Sequence, residues 1–474
     1  MKWGELLLAS IVFLNLASEA GWAAGEAAPT VGRISAVAGP VQYQSTAGEW
    51  SAALVNEPVA AGTGLRAAVG AEAELRGPDS RIALAPSTAL RILRFDGDTL
   101  QIEVSSGRIG IHLDPGNTAR TVEIDLPSGG VWLTAPGDYD ITAGDEHSPA
   151  SVQVFAGKAQ LGGGLDDHHI AAATPDSFSD WWRSQGDNTD QATRSPAPAI
   201  AGAAALDASG RWESDSRFGK VWYPSDIAAD WAPYRDGAWR FLAPWGWTWI
   251  DEASWGFAPS HYGRWARIPG SSPGADRWGW VPGSQLAAGD YSPAAVAFLG
   301  TAGYGLSRPG DYGTPPAVAW FPLAPGETIG DGNDAKYQNR RFATAVPRAV
   351  FAGGLPVANA LIDDLPEQRF LDAPVILQAL AIPPAVTTAV ATAKKKPAAV
   401  ALAAIPARTP TPAPQRPTIV AQHEAPPRRD LARDTGKRLH MAQAIVLRPR
   451  APASTSLSRS PHNRTHLAAA RGGA

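Results

Sequence analysis

The chain has 474 residues, 41 Lys and Arg against 45 Asp and Glu, and a formal net charge of −4. It holds 18 Trp and no Cys, which excludes disulfides, thiolate metal sites, iron–sulfur clusters and cysteine nucleophiles. The charge is unevenly placed: residues 391–474 carry 15 basic and 3 acidic residues, so an acidic body precedes a basic tail.

Lys2 precedes the apolar run Leu6–Leu16, and the small-residue site Gly21-Trp22-Ala23 follows. The run is shorter than the ~20 residues a membrane-spanning helix needs. It is the length of a signal-peptide core, so residues 1–23 are expected to be an export signal. The expected location is periplasmic or otherwise exported. The alternative is tethering by an uncleaved N-terminal anchor.

Residues 31–165 read as short strands. Leu100, Ile102 and Val104 alternate with polar residues up to the turn at Ser105-Ser106-Gly107, and Ile109, Ile111 and Leu113 alternate on the return. Val122, Ile124 and Leu126 repeat the pattern, as do Val152 and Val154. Period-two alternation broken by turns every 8–12 residues predicts an all-β sandwich or barrel with one buried face per strand. Gly77-Pro78-Asp79-Ser80, between Leu75 and Ile82, predicts a turn, because Pro presets φ and Asp bonds nearby backbone.

The ordered motifs of this stretch resemble a FecR-type domain. They are Gly32-Arg33-Ile34, Gly39-Pro40-Val41, Trp50 before Gly62-Thr63-Gly64-Leu65-Arg66, Arg81-Ile82-Ala83-Leu84, Ser87-Thr88-Ala89-Leu90, Gly107-Arg108-Ile109 and Pro136-Gly137-Asp138-Tyr139. The resemblance implies a β-rich extracytoplasmic domain of the kind used in iron-uptake signalling. Typical members place a cytoplasmic segment and a membrane helix ahead of it. The signal-like segment stands there instead, so only the domain type carries over and anti-sigma activity does not.

Residues 166–210 are expected to hold one short helix and a linker. Phe178, Trp181 and Trp182 share a helical face that would dock on the sandwich. The Ala, Pro, Gly and Ser cluster at 194–205 reads as linker.

Eleven Trp fall within 212–280. Ala232-Pro233-Tyr234-Arg235-Asp236-Gly237-Ala238-Trp239 aligns with Ala258-Pro259-Ser260-His261-Tyr262-Gly263-Arg264-Trp265, and each unit is followed by Trp-Gly-Trp, at 245–247 and at 278–280. Ala295-Val296-Ala297-Phe298 is echoed by Ala317-Val318-Ala319-Trp320. Such recurrence predicts a β-hairpin repeat domain over 211–357. Trp245, Trp247 and Trp249 alternate, so on one strand their indoles would share a face. Few Leu, Ile and Val occur here, so most indoles are expected to form the core. The alternative is a solvent-facing row that binds glycan or protein, with Trp245, Trp247, Trp249, Trp255, His261, Tyr262, Arg264 and Trp265 as its candidate residues.

This block resembles a Trp-rich bacterial envelope domain of unknown function that follows FecR-type domains. The matching residues are Val221-Trp222-Tyr223-Pro224, Trp231-Ala232-Pro233-Tyr234, Trp245-Gly246-Trp247-Thr248-Trp249, Trp255-Gly256-Phe257-Ala258-Pro259, His261-Tyr262-Gly263-Arg264-Trp265, Trp278-Gly279-Trp280-Val281-Pro282-Gly283 and Trp320-Phe321-Pro322-Leu323. The resemblance implies no catalytic residue.

No aromatic residue follows Phe370, and 391–474 hold 11 Pro and the run Lys394-Lys395-Lys396. Residues 371–474 are expected to be a disordered, basic, Pro/Ala-rich tail, with too little apolar surface to offset chain entropy. The tail's charge suits anionic membrane surfaces; export makes nucleic acid an unlikely partner.

Chemistry-bearing motifs are few. Gly270-Ser271-Ser272-Pro273-Gly274 has the spacing of a nucleophile elbow but lies between prolines, where strand-to-helix geometry is not expected. Asp166-Asp167-His168-His169 reads as a solvated loop, and Asp331-Gly332-Asn333-Asp334 as a turn without the later Glu of a calcium loop. No Walker loop, dinucleotide fingerprint or His-Glu-x-x-His motif occurs. Asp251 and Glu252 would point to opposite strand faces, which argues against a paired-carboxylate hydrolase. No enzyme activity, cofactor or metal is expected. The expected function is a non-enzymatic interaction or sensing scaffold whose partner is an envelope protein or a glycan.

Overall fold

A computed structural model describes residues 29–46, 48–116, 120–187, 200–270, 276–283, 290–301, 306, 316–330, 337–377, 382 and 384. The signal-like segment, the loop Gly270–Gly274 beyond its first residue, the whole of Asp331–Asp334, and the tail past residue 384 lie outside the described residues.

The described chain is all-β with a few short helices. Residues 29–171 form two eight-stranded sheets. One runs in the order Ile170–Ala171, Ser151–Val154, Gly137–Thr142, Arg108–Leu113, Ser80–Leu84, Glu72–Arg76, Gly32–Ala38, Pro58–Val59. The other runs Ala159–Gly163, Gly129–Leu133, Thr121–Leu126, Thr99–Ser106, Ala89–Phe95, Gly64–Ala67, Val41–Gln44, Ser51–Ala52. Most neighbours are antiparallel; Thr121–Leu126 runs parallel to Thr99–Ser106. Ile34 and Leu75 of the first sheet and Ile102 and Ile124 of the second belong to one buried cluster, so the sheets face each other as a sandwich.

The alternating residues are the inward ones: Leu100, Ile102, Val104, Ile109, Ile111, Leu113, Val122 and Ile124 are all buried. The turn at Gly77–Ser80 closes with a 2.8 Å bond from the Gly77 amide to the Ser80 carbonyl. Several strands depart from the single-buried-face pattern, Ser80–Leu84 most of all. Ser80–Leu84 is buried on both sides because the helix Ser177–Asp187 covers its outer face, with Phe178 and Trp182 against Ala83 and Ala85. Gly110 admits this helix: a Cβ there would lie 2.4 Å from the Trp182 ring. Asp176 caps the helix, accepting the Ser179 amide at 2.9 Å, and Arg108 holds both Asp140 and Asp176.

The linker expectation needs correcting at its end. Ala203–Ser209 is a helix, and Ile200, Ala201, Ala203 and Leu206 are buried in the Trp-rich core. Alanine composition that reads as linker is also good helix composition once one side has something to pack against.

The Trp-rich module contains a four-stranded sheet (Gly210–Asp215, Gly219–Pro224, Arg277–Val281, Arg264–Ile268), a hairpin (Gly237–Leu242 with Gly246–Asp251) and a three-stranded sheet (Val296–Leu299, Ala317–Pro322, Thr344–Pro347). The internal repeat is structural. Trp239 pairs with Trp249 across one hairpin, and Trp265 pairs with Trp280 across the other. The equivalence is offset from the sequence alignment: Trp278 and Trp280 correspond to Trp247 and Trp249. The second echo, around Phe298 and Trp320, is an antiparallel pair in which those two residues face each other.

The tail expectation also needs correcting at its start. Glu367–Asp372 is helical, and Ala373, Val375, Ile376 and Ile382 are buried. Val375 bridges Leu299 and joins Phe370 in a small apolar cluster. An aliphatic segment without aromatics orders here because the three-stranded sheet offers it a preformed apolar face.

Candidate functional site

The hairpin Gly237–Asp251 is the hub of the molecule. Strand alternation sends Trp239, Trp247 and Trp249 into the Trp-rich core, while Leu242 and Ile250 join the core of the sandwich. Both faces therefore pack against a core, with Phe241 left half exposed, and one β-hairpin belongs to two modules at once.

On the Trp side, the rings meet edge to face. Trp239 contacts Trp249 at 5.5 Å and 69°, and Trp320 at 5.4 Å and 81°. Such geometry sets the positive ring edge against the negative face. The indole N–H groups tie down loops: Trp222 donates to the Leu206 carbonyl, Trp265 to Pro259, Trp280 to Tyr262 and Trp320 to Tyr234, at 2.8–3.1 Å.

On the sandwich side, the contact is polar and buried. Asn56, fully buried at φ +68°, donates to the carbonyls of Asp251 and Ala253 at 2.9 and 2.7 Å and accepts Arg33 Nη1 at 2.7 Å. Arg33 also donates to the Ser254 carbonyl. Burial and the nearby Arg76 lower the Arg33 pKa to about 10. Glu57 is fully buried, and burial pushes its carboxyl up to about 7 against the pull of Arg240 and the Leu54 amide. Arg240 Nη1 stands 3.1 Å from Glu57 Oε1, an electrostatic approach rather than a well-directed hydrogen bond. Arg240 Nη2 donates to Ser51 Oγ at 2.6 Å. Burial likewise raises Asp251 to about 6, although Trp249 Nε1, the Ala253 amide and Ser260 Oγ donate to it.

The candidate residues read from the sequence are only partly brought together. Trp247, Trp249, His261, Tyr262 and Trp265 are buried. Trp245 is not on the strand: it precedes Gly246, whose φ of +78° makes the hairpin turn, and its half-buried ring lies 5.1 Å from Tyr291. Trp255 is half-buried against Trp222, at 5.0 Å. Arg264 is half-buried, and its guanidinium donates to the Gly263 carbonyl. These eight residues form no common solvent-facing row, because most of them make the core. His261 Nδ1 donates to the Ser292 carbonyl, 2.8 Å away, and burial lowers its pKa to about 4, so it is a neutral structural imidazole.

Asp251, at the end of its strand, is buried, and Glu252, just past it, is exposed. Asp166–His169 makes a local exposed turn in which His169 Nδ1 and Asp166 Oδ1 are 3.0 Å apart. Among the described residues no group of three or more His, Asp or Glu is placed to hold a metal ion, and no helix is long and apolar enough to cross a membrane.

Of the residues that lock the modules, Arg33 falls in the motif Gly32-Arg33-Ile34, while Asn56, Glu57 and Arg240 carry no motif in the sequence. The one available signal was Asn56-Glu57-Pro58, a turn tripeptide in which Asn tolerates the left-handed conformation. Nothing local shows that its amide meets a strand end almost 200 residues away.

Residues 203–327 match the model of a family described as a "family of unknown function (DUF6600)". No curated protein matches the chain. Among solved structures, the crystal structure of a "putative anti-sigma factor" from Parabacteroides distasonis matches at 16% identity, over 22% of this chain and 48% of that one, with a TM-score of 0.20. The match thus spans about half of that protein.

Proposed function

We propose that this is a non-enzymatic, exported cell-envelope protein whose FecR-type sandwich and Trp-rich module act together as one interaction or sensing scaffold. The observation that carries the reading is the shared hairpin Gly237–Asp251, clamped to the sandwich through Asn56, Arg33 and Arg240. A buried polar clamp of this kind suits a protein that presents a fixed composite surface rather than one that opens and closes over a substrate. Export is supported by the short apolar run Leu6–Leu16 with its small-residue end. The basic tail adds a means of contact with anionic envelope surfaces, screened by salt over a Debye length of ~10 Å at 0.1 M.

The test is fractionation with intact mass, followed by a pull-down from envelope extract. Recovery in the periplasm with the mass of a chain cut near Ala23, and a specific envelope protein retained, is the expected result. A cytosolic protein that keeps Met1 refutes export. Retention of peptidoglycan instead of a protein would favour a glycan-binding function.

A further inference from the structure

Downstream of the helix Glu367–Asp372 the chain returns to the hub hairpin. Ile382 is only 2% exposed, and its carbonyl accepts the indole N–H of Trp247 at 2.8 Å, 135 residues away along the chain. The Trp247 ring lies 4.3 Å from Phe351 and 5.6 Å from Phe241, centroid to centroid. Phe241 is 50% exposed, so the aromatic surface around Trp247 reaches solvent.

The sequence at the contact is Ala381-Ile382-Pro383-Pro384. A carbonyl that precedes proline belongs to a tertiary amide, a strong acceptor with no N–H on its far side. Proline also holds the residue before it in the extended region. Segments of this kind are read by aromatic walls together with a donor aimed at the backbone carbonyl, at low entropic cost because they are already extended. Trp247 supplies the donor and Phe351 and Phe241 the walls.

We propose that Trp247, Phe351 and Phe241 form a docking site for extended peptides that carry an apolar residue followed by proline. Ile382 is its resident occupant, and such a segment from a partner protein takes the site by displacing it. This deepens the scaffold reading by giving the chemistry of the partner. Among the described residues of the resident segment, Ile382 holds the site through its carbonyl and its buried side chain, and Pro384 is exposed. The segment's advantage is its tether, which supplies an effective concentration in the millimolar range. The chain repeats the tripeptide at Ala404-Ile405-Pro406, a second tethered competitor.

The experiment is a titration of the purified full chain with a labelled peptide of residues 378–386, read by fluorescence anisotropy. Replacing both resident copies, Ile382→Asp with Ile405→Asp, removes the tethered competition and is expected to tighten peptide binding at least about tenfold. On that background Phe241→Ser, at a half-exposed position, with folding checked by its urea midpoint, is expected to weaken binding about fivefold or more; Trp247→Phe, which deletes the donor and keeps a ring, is expected to do the same. A peptide with both prolines changed to Ala should bind much more weakly. The proposal is overturned if the double variant shows no saturable binding at about 1 mM, the tether-scale concentration. It is equally overturned if the double variant binds no better than the native chain, or if the Ala peptide binds as well. Because the titration uses purified protein, its result stands whether or not the protein is exported.

Discussion

Replacing Asn56 with Ala tests the clamp between the modules. The change removes two donors from the carbonyls of Asp251 and Ala253 and the acceptor from Arg33 Nη1, all in a buried place. A buried polar group stranded without its partner costs about 1–3 kcal/mol. Ala keeps the Cβ that Asn already holds at φ +68° but lacks the short polar side chain that lets Asn adopt the left-handed region, a smaller further loss. Allowing for partial repair by water, the sum is about 4–6 kcal/mol, a large part of the ~5–15 kcal/mol that holds a typical domain folded. The loss falls on contacts between modules, so docking should fail first. Urea unfolding followed by Trp fluorescence and by far-UV circular dichroism should give coincident curves for the native protein and separate ones for Asn56→Ala. Asn56→Gly, which tolerates the backbone, should be about 1 kcal/mol milder. Coincident curves within about 0.5 kcal/mol of the native midpoint, the usual range for a surface change, would refute the clamp.

Three further outcomes follow from the same structure. Trp249→Ala, at a ring with no exposure, should cost about 3–5 kcal/mol in urea melts; a loss under about 1 kcal/mol would remove Trp249 from the core. Gly110→Ala should expel the helix Ser177–Asp187, whose Trp182 ring a Cβ would strike, and limited proteolysis should then cut within it. His112 loses some basicity to burial, but Asp114 and Asp138 outweigh this and raise its pKa to about 9. The folded state therefore binds the extra proton more tightly than the unfolded one. The stability this gives is fully present below the unfolded value of ~6.5, is lost as pH rises through about 9, and amounts to at most about 3 kcal/mol. His112→Gln should flatten that part of the stability–pH curve, measured by urea midpoints between pH 6 and 9.5; an unchanged slope would mean His112 is not charged in the folded protein.

Much of the sandwich is legible in the sequence because its strands carry a one-sided burden. Leu100, Ile102 and Val104 point inward and their neighbours outward, so period-two alternation and the inner face are the same information. The reading fails where a second layer arrives. Ser80–Leu84 is buried on both sides only because Trp182 comes from a helix 100 residues later. The Trp block behaves the same way. Its composition marks an aromatic core and its repeat marks hairpins, but Trp245 falls at a turn that only the paired register of Gly237–Leu242 and Gly246–Asp251 places. Ile382 lay inside a stretch whose composition argues for no structure, and it is ordered by a surface the local sequence does not contain.

The sequence by itself determined the all-β class, the inward residues of most strands, the duplicated Trp hairpins and the contrast between an acidic body and a basic tail. Each of these is a property of short windows: alternation, recurrence and charge count need no knowledge of what lies opposite. Only the tertiary structure decided that the hairpin Gly237–Asp251 serves two cores, that Asn56 and Arg33 join them, and that Trp247 holds a returning chain at Ile382. Those contacts link residues about 130 to 220 positions apart. A polar side chain such as Asn56 looks the same in a solvated turn and in a buried clamp until the fold supplies the carbonyls it meets.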